Sequence, residues 1–277
     1  MLRWRHGEPP REERDALAVE ALLELRIQGR ALSVTMRTPG YDPELAAGFL
    51  LSEGLIRSKD DMHAIDTCAR DVEGNVVNIY LKPHVAVGFA SLTRHVFASS
   101  SCGLCGKATI DAVHSHFEPV ASPLQLPADL LLGLPEKVRA AQATFEQTSG
   151  LHAAAVFDER GDLVIVREDV GRHNAADKAI GYALLQGLLP LDHHVLLVSG
   201  RASFEILQKA LAGRLALVAA VSAPSTRACE FAHGSGQTLV GFLRLSRLNV
   251  YSYAHLRPSA GVRRHARLQH QTVRLRL

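Results

Sequence analysis

Cys102 and Cys105 are the residues of this chain best suited to covalent chemistry, set three apart in Ser99-Ser100-Ser101-Cys102-Gly103-Leu104-Cys105-Gly106-Lys107. A helix is expected from about Lys107 to Phe117, so the pair falls at a helix start. There, free N–H groups, the macrodipole and the Lys107 charge favour thiolate over thiol. Competing chemistries fit less well. Structural zinc wants four ligands, and the nearest further candidates, His114 and His116, point to different faces of a helix. A thioredoxin-type pair belongs to a small βαβ setting that this part of the chain lacks. Zinc-dependent deamination needs His-x-Glu ahead of Pro-Cys-x-x-Cys, yet residue 101 is Ser, and the His-x-Glu triplets are His6-Gly7-Glu8 and His116-Phe117-Glu118. What remains is a thiolate that accepts a group and hands it on. Cys68 and Cys229 stand alone and are expected to be buried and inert.

A second set of residues has the composition of an anion site. Asp169-Val170-Gly171-Arg172-His173-Asn174, Ser199-Gly200-Arg201-Ala202-Ser203 and Ser222-Ala223-Pro224-Ser225 each follow an expected strand and open an expected helix. Two of the three carry Gly-Arg, which lets backbone approach a phosphate while a guanidinium forks onto its oxygens. Taken singly, each turn has a structural alternative, with Asp169 or Asn174 capping a helix and the arginine pairing with an acid. His152, at a strand start, is a further polar candidate. Neither GxxxxGK nor GxGxxG occurs in these turns.

The elements that position these residues follow from pattern. Ala18 to Arg37 reads as two strands around Gln28-Gly29, and Pro43 to Gly54 as a helix; strands follow at Val76–Leu81 and Val85–Ser91. A helix is expected after Pro127 to about Gln147. From residue 150 strands and helices alternate, with apolar runs such as VLLV and LALVAAV. The expected fold class is therefore α/β, a mostly parallel sheet flanked by helices, with a small N-terminal α+β region. The boundaries expected are 1–16 disordered, 17–120 carrying the cysteine loop, 128–255 as the α/β domain, and 256–277 as a basic tail.

Composition narrows the class. The 277 residues are 47% apolar, enough for a large core, and no apolar run approaches the roughly 20 residues of a membrane span. No signal peptide is recognisable and the cysteines number four, so a reducing, cytoplasmic setting is expected. The net charge of +3 is polarised, with no Asp or Glu after Glu230 and arginines from Arg244 to Arg276. Aromatic content of 5% without interleaving argues against nucleic acid.

SSCGLCG, EDVGRHNAADKAIG (168–181), SGRASFEILQKA (199–210), SAPST and the stretch from Gly241-Phe242 to Tyr251 resemble the formate dehydrogenase accessory sulfurtransferase family, FdhD/NarQ. The resemblance runs in order from about residue 30 to 255. It implies a fold similar to cytidine deaminases in the α/β part. It also implies a carrier that takes persulfide sulfur from a cysteine desulfurase and delivers it to the molybdenum of bis(molybdopterin guanine dinucleotide), for formate dehydrogenase. By the same resemblance Cys102 holds the persulfide, Cys105 assists, and Phe242, Leu243, Arg244, Leu245, Ser246 and Arg247 contact the cofactor. A guanine-nucleotide-type ligand then suits His152, Gly171, Arg172, His173, Asn174, Ser199, Gly200, Arg201, Ser203 and Ser225. No permanent metal is expected, and a homodimer is, as the commonest assembly. The alternative is a non-catalytic chaperone of the same cofactor. Ser149 stands where that family commonly has Gly, a departure at the turn before His152.

Overall fold

The structure, a computed structural model, describes residues 1–67, 74–88, 117–252 and 256–257. At the N-terminus β1 (Leu2–Arg3) and β2 (Arg11–Glu12) form a short antiparallel ribbon where disorder was expected. β3 (Ala21–Ile27) and β4 (Arg30–Arg37) make the expected hairpin. Its turn needs left-handed backbone at both Gln28 (φ 50) and Gly29 (φ 80). α1 (Asp42–Ser52) starts with Pro43 in its first turn and is followed by Gly54 at φ 72, as its sequence signals imply. β5 (Met62–Thr67), which no pattern announced, and β6 (Val76–Leu81) complete a sheet ordered β4-β3-β6-β5. Residues 85–88 form no strand, and the rest of the strand expected there, the helix expected at 107–117 and both Cys102 and Cys105 lie outside the described residues.

Residues 118–127 connect the two halves but are docked: Val120, Leu124 and Leu126 are buried, and β7 (Leu126–Pro127) pairs in parallel with the β-bridge strand of residues 256–257. The single helix expected after Pro127 is three, α2 (Ala128–Leu132), α3 (Leu134–Ala141) and α4 (Ala143–Thr148). Pro135 in the first turn of α3 cannot continue the preceding ladder, and Gln142 leaves helical space at ψ 72. α4 ends on Ser149, which adopts φ 53.

β8 (His152–Phe157), β9 (Leu163–Asp169), α5 (Arg172–Leu185), β10 (Val195–Val198), α6 (Phe204–Ala212), β11 (Leu217–Ala220), α7 (Thr226–Ser235), β12 (Thr238–Arg244) and β13 (Arg247–Ser252) build the main sheet, ordered β13-β12-β11-β10-β8-β9. The α/β class holds, but the sheet is mixed: β10, β11 and β12 are mutually parallel and the outer pairings are antiparallel. The chain between β8 and β9 is a tight turn closed by Asp158, too short for the crossover that parallel strands require. α5, α6 and α7 each carry the chain the same way along the sheet. Right-handed crossovers therefore lay them side by side on one face, where they pack in that order.

α1 rests on α5 and joins the two sheets into one continuous core. The crossing is backbone against backbone. A Cβ built on Gly48 would lie 1.9 Å from Asp177 O, and one on Gly181 would lie 1.9 Å from Glu44 O. Around it the Asp177 carboxylate receives Lys209 Nζ at 2.7 Å and the Ser52 hydroxyl at 3.0 Å, while Gln208 Nε2 donates to Ser52 O. All four side chains are buried. Burial pushes the Asp177 carboxyl pKa up, against the pull of Lys209. On a partly buried flank Arg167 forks onto Glu44 and stacks 3.8 Å from the Tyr41 ring.

Gly48→Ala and Gly181→Ala should each destabilise the chain by about 3 kcal/mol or more, because backbone cannot yield as a side chain would. Denaturant unfolding checks this, and a loss near the few tenths typical of a surface site would refute the interlock. In the opposite direction, Ser149→Gly should raise stability by about 0.5–1 kcal/mol by relieving a left-handed non-glycine residue, read from the same unfolding curves.

Candidate functional site

Because β9, β10, β11 and β12 run the same way, all four end at one edge of the sheet, and antiparallel β8 begins there with His152 opposite Asp169. The three turns singled out by sequence leave from this edge. They are fastened to one another: Ser222 N donates to Gly200 O, Ser225 N donates to Ala202 O, and Phe242 N donates to Ser222 O. Gly200 sits with the site of an added Cβ 3.4 Å from both Arg172 Cδ and His152 Nδ1. Its lack of a side chain lets the second turn close onto the first.

At the β9 end of the edge a cavity of about 230 Å³ is lined by Glu20, Met36, Val170, Gly171, Asn174 and, above all, His152, Arg172 and His173. Five of the predicted residues thus share one pocket. Glu20 and Met36 had no signal in the sequence. They come from the N-terminal segment and β4, whose alternation gives only an outward-facing side chain, and only the fold brings that face over the α5 N-terminus.

Electrostatically the lining sets one guanidinium, Arg172, beside uncharged imidazoles, with the carboxylate of the exposed Glu20 as its one acid. Arg172 Nε is buried and has no hydrogen-bond partner among the described residues. Burial, and then the neighbouring Arg172 charge, lower the His152 pKa against the pull of Asp169. His173 is held down to about 4, first by burial and then by Lys209 and Arg172. Ser203 occupies the N-cap of α6 yet makes no side-chain cap bond; its hydroxyl pairs with His173 Nε2 at 3.2 Å, with Glu205 Oε2 3.9 Å from the same nitrogen. Ser225, by contrast, caps α7 in the ordinary way, accepting from Ala228 N. The arrangement suits an anion: a guanidinium and the N-terminus of α5 supply positive potential, and neutral imidazoles supply hydrogen bonds.

Other predicted residues serve the frame. Ser199 Oγ accepts from Ala153 N, and Asn174 Nδ2 donates to Met36 O and Asp169 Oδ1. Arg201 is exposed. Residues 242–247 span the end of β12, the two-residue turn at Leu245 and Ser246, and the start of β13. Phe242 is at φ 51, Leu243 is fully buried in the core, and Arg244 donates to Val221 O and Leu243 O. Leu245, Ser246 and Arg247 are exposed at the tip. Three strand spacings, roughly 14 Å, separate β12 from β8, so this segment lies along the same edge but not in the same pocket.

A free imidazole titrates near 6.5 and His173 near 4. Between those values the unfolded chain holds a proton that the folded chain does not, so stability is full above the window and falls as pH drops through it. The loss attributable to His173 is roughly 3 kcal/mol. His173→Gln should flatten that dependence, measured as urea midpoints at pH 7 and pH 4.5; an unaltered slope would count against a buried neutral imidazole.

The fold and site define an α/β protein with a polar pocket at the carboxyl ends of its parallel strands. The FdhD/NarQ family profile matches residues 18–256, and the chain belongs to that family. The "Sulfur carrier protein FdhD" of Streptomyces avermitilis is 51% identical over 249 residues, spanning 87% of this chain and 88% of that protein. The protein of the same name from Mycobacterium tuberculosis is 48% identical over 250 residues, with 87% and 91% covered. That of Anaeromyxobacter dehalogenans is 41% identical over 251 residues, with 86% and 87% covered. A crystal structure described as a formate dehydrogenase accessory protein, from Desulfotalea psychrophila, shares the fold at a TM-score of 0.74, 23% identity and coverage of 91% of this chain and 94% of that one.

Proposed function

We propose that this protein is a sulfur carrier of the sulfurtransferase kind, serving a formate dehydrogenase in the cytoplasm. The observation that carries the reading is the relatives named as sulfur carriers, 41–51% identical across most of the chain, combined with a Cys-x-x-Cys pair inside the span that matches the family. In the first step the Cys102 thiolate attacks the terminal sulfur of a desulfurase persulfide; the donor cysteine leaves as a thiolate and Cys102 becomes a persulfide. That group ionises more readily than its parent thiol and presents an anionic sulfur to an electrophile. The substrate that receives it is the molybdenum of bis(molybdopterin guanine dinucleotide).

Two balanced routes release the sulfur. In one, the terminal sulfur passes to the metal and Cys102 leaves as a thiolate, the two electrons that turn sulfane sulfur into a sulfide ligand coming from molybdenum in its reduced, Mo(IV) state, which rises to Mo(VI). In the other, the Cys105 thiolate attacks the Cys102 sulfur, hydrosulfide leaves, and a Cys102–Cys105 disulfide forms that a thiol reductant must reopen. The dinucleotide reading draws support from the pocket in which the Arg172 guanidinium meets His152 and His173, and from the arginines along the same edge, Arg201, Arg244 and Arg247. Phosphate oxygens match a guanidinium whose buried Nε is unpaired.

Incubating the reduced protein with a cysteine desulfurase and cysteine, then measuring intact mass with peptide mapping, should add one sulfur at Cys102 that dithiothreitol removes. Cys102→Ala should abolish that gain and the maturation of formate dehydrogenase while leaving binding of guanosine diphosphate within about twofold, since phosphate is held by guanidinium and N–H donors and not by a thiol. Maturation that survives Cys102→Ala would overturn the carrier in favour of a cofactor chaperone.

A further inference from the structure

We propose that Asp169 is a positioning residue for this site, a buried carboxylate that locks the cavity's two walls together across the two sheets. Those walls come from elements far apart in sequence. One is the β9–α5 turn with Val170, Gly171, Arg172, His173 and Asn174; the other is the end of β4 with Met36. Asp169 is fully buried, and both of its oxygens are saturated. Oδ1 accepts from Gly171 N at 2.8 Å and from Asn174 Nδ2 at 3.0 Å. Oδ2 accepts from Thr38 N at 3.1 Å and meets Lys178 Nζ at 2.7 Å. The turn side and the strand side therefore divide one carboxylate between them.

The same knot is tied three more times. Lys178 Nζ donates to Thr38 O at 2.8 Å, Val170 N donates to Thr38 Oγ1 at 3.2 Å, and Asn174 Nδ2 reaches Met36 O at 2.7 Å. Asp169 and Lys178 do not line the cavity themselves, and act through Arg172 and His173. An amide cannot replace the carboxylate: whichever way an asparagine is turned, its NH₂ faces two donors, which lose their acceptor inside the protein. Each such loss costs enough to move the turn that holds Arg172.

The proposal rests on the nucleotide-anion reading of the cavity, and its test uses guanosine diphosphate as the probe with the full chain. Asp169→Asn paired with Lys178→Met leaves no unpaired buried charge and should bind the probe about tenfold more weakly or worse, the equivalent of one or two buried donors unsatisfied. Thr38→Val keeps every charge and removes only the acceptor of Val170 N, so it decides the matter even if the paired variant fails to fold; its expected loss is about threefold. Val138→Ala, buried in α3 away from the cavity, is the control for stability loss alone and should bind within about twofold of the parent. Folded Thr38→Val or paired variant binding as tightly as that control would overturn the proposal. A parent protein that fails to bind the probe defeats the nucleotide reading instead. The positioning role is then still judged by NMR: the Arg172 Nε–H and Gly171 amide resonances should shift in Thr38→Val and stay put in Val138→Ala, and resonances unmoved in Thr38→Val would overturn it.

Discussion

Everything in this fold hangs on two helices touching without side chains between them. Where Gly48 of α1 meets Asp177 O, and Gly181 of α5 meets Glu44 O, the backbones approach closer than any alanine would permit. That contact fixes the N-terminal sheet relative to α5, and α5 begins at Arg172. Its first turn is thereby aimed by packing that occurs at its middle. The buried pairs Asp177–Lys209 and Asp169–Lys178 each take one residue from α5 beside the crossing, tying it to α6 and to the end of β9. Their desolvation makes them poor sources of net stability, but breaking one leaves an uncompensated charge, so they enforce a single arrangement of α1, α5 and α6.

Those buried lysines also shape the chemistry of the edge. Lys209 acts on His173 from behind while Arg172 acts from in front, and burial adds to both. The imidazoles are consequently uncharged at neutral pH, and the positive charge facing the pocket resides on the Arg172 guanidinium. An anion arriving there meets a permanent cation with donors beside it. Ser203 is drawn into the same group, giving up the helix-capping role its position would otherwise assign.

Much of this was legible in the sequence where the signal is local. Gln28-Gly29 announced a hairpin, Pro43 and Gly54 bracketed α1, and the apolar runs VLLV and LALVAA became buried strands. The three turns were placed on one edge, as they are. Local pattern failed where geometry is set at a distance. The mixed sheet follows from a short loop after Phe157 that apolar content does not reveal, and the division of residues 128–148 follows from Pro135 and Gln142 overriding helical periodicity. Leu243 read as part of a ligand-facing segment, yet the left-handed Phe242 beside it turns Leu243 inward. Glu20 and Met36 became pocket residues only through the α1–α5 crossing, and Asp169 looked like a helix cap when its carboxylate holds two walls as well.

The hydrogen bond from Thr38 N to Asp169 spans 131 positions of sequence. During synthesis the hairpin and α1 therefore leave the ribosome long before their complement exists, and α1, with Leu45, Ala46, Leu50 and Leu51, has only the N-terminal sheet to pack on until α5 has emerged. Contacts of such separation close slowly, and an early-made half of a shared core is the species most prone to stray association. For this chain the pocket is a late product of folding, completed only after the C-terminal half has returned to meet residues translated at the outset.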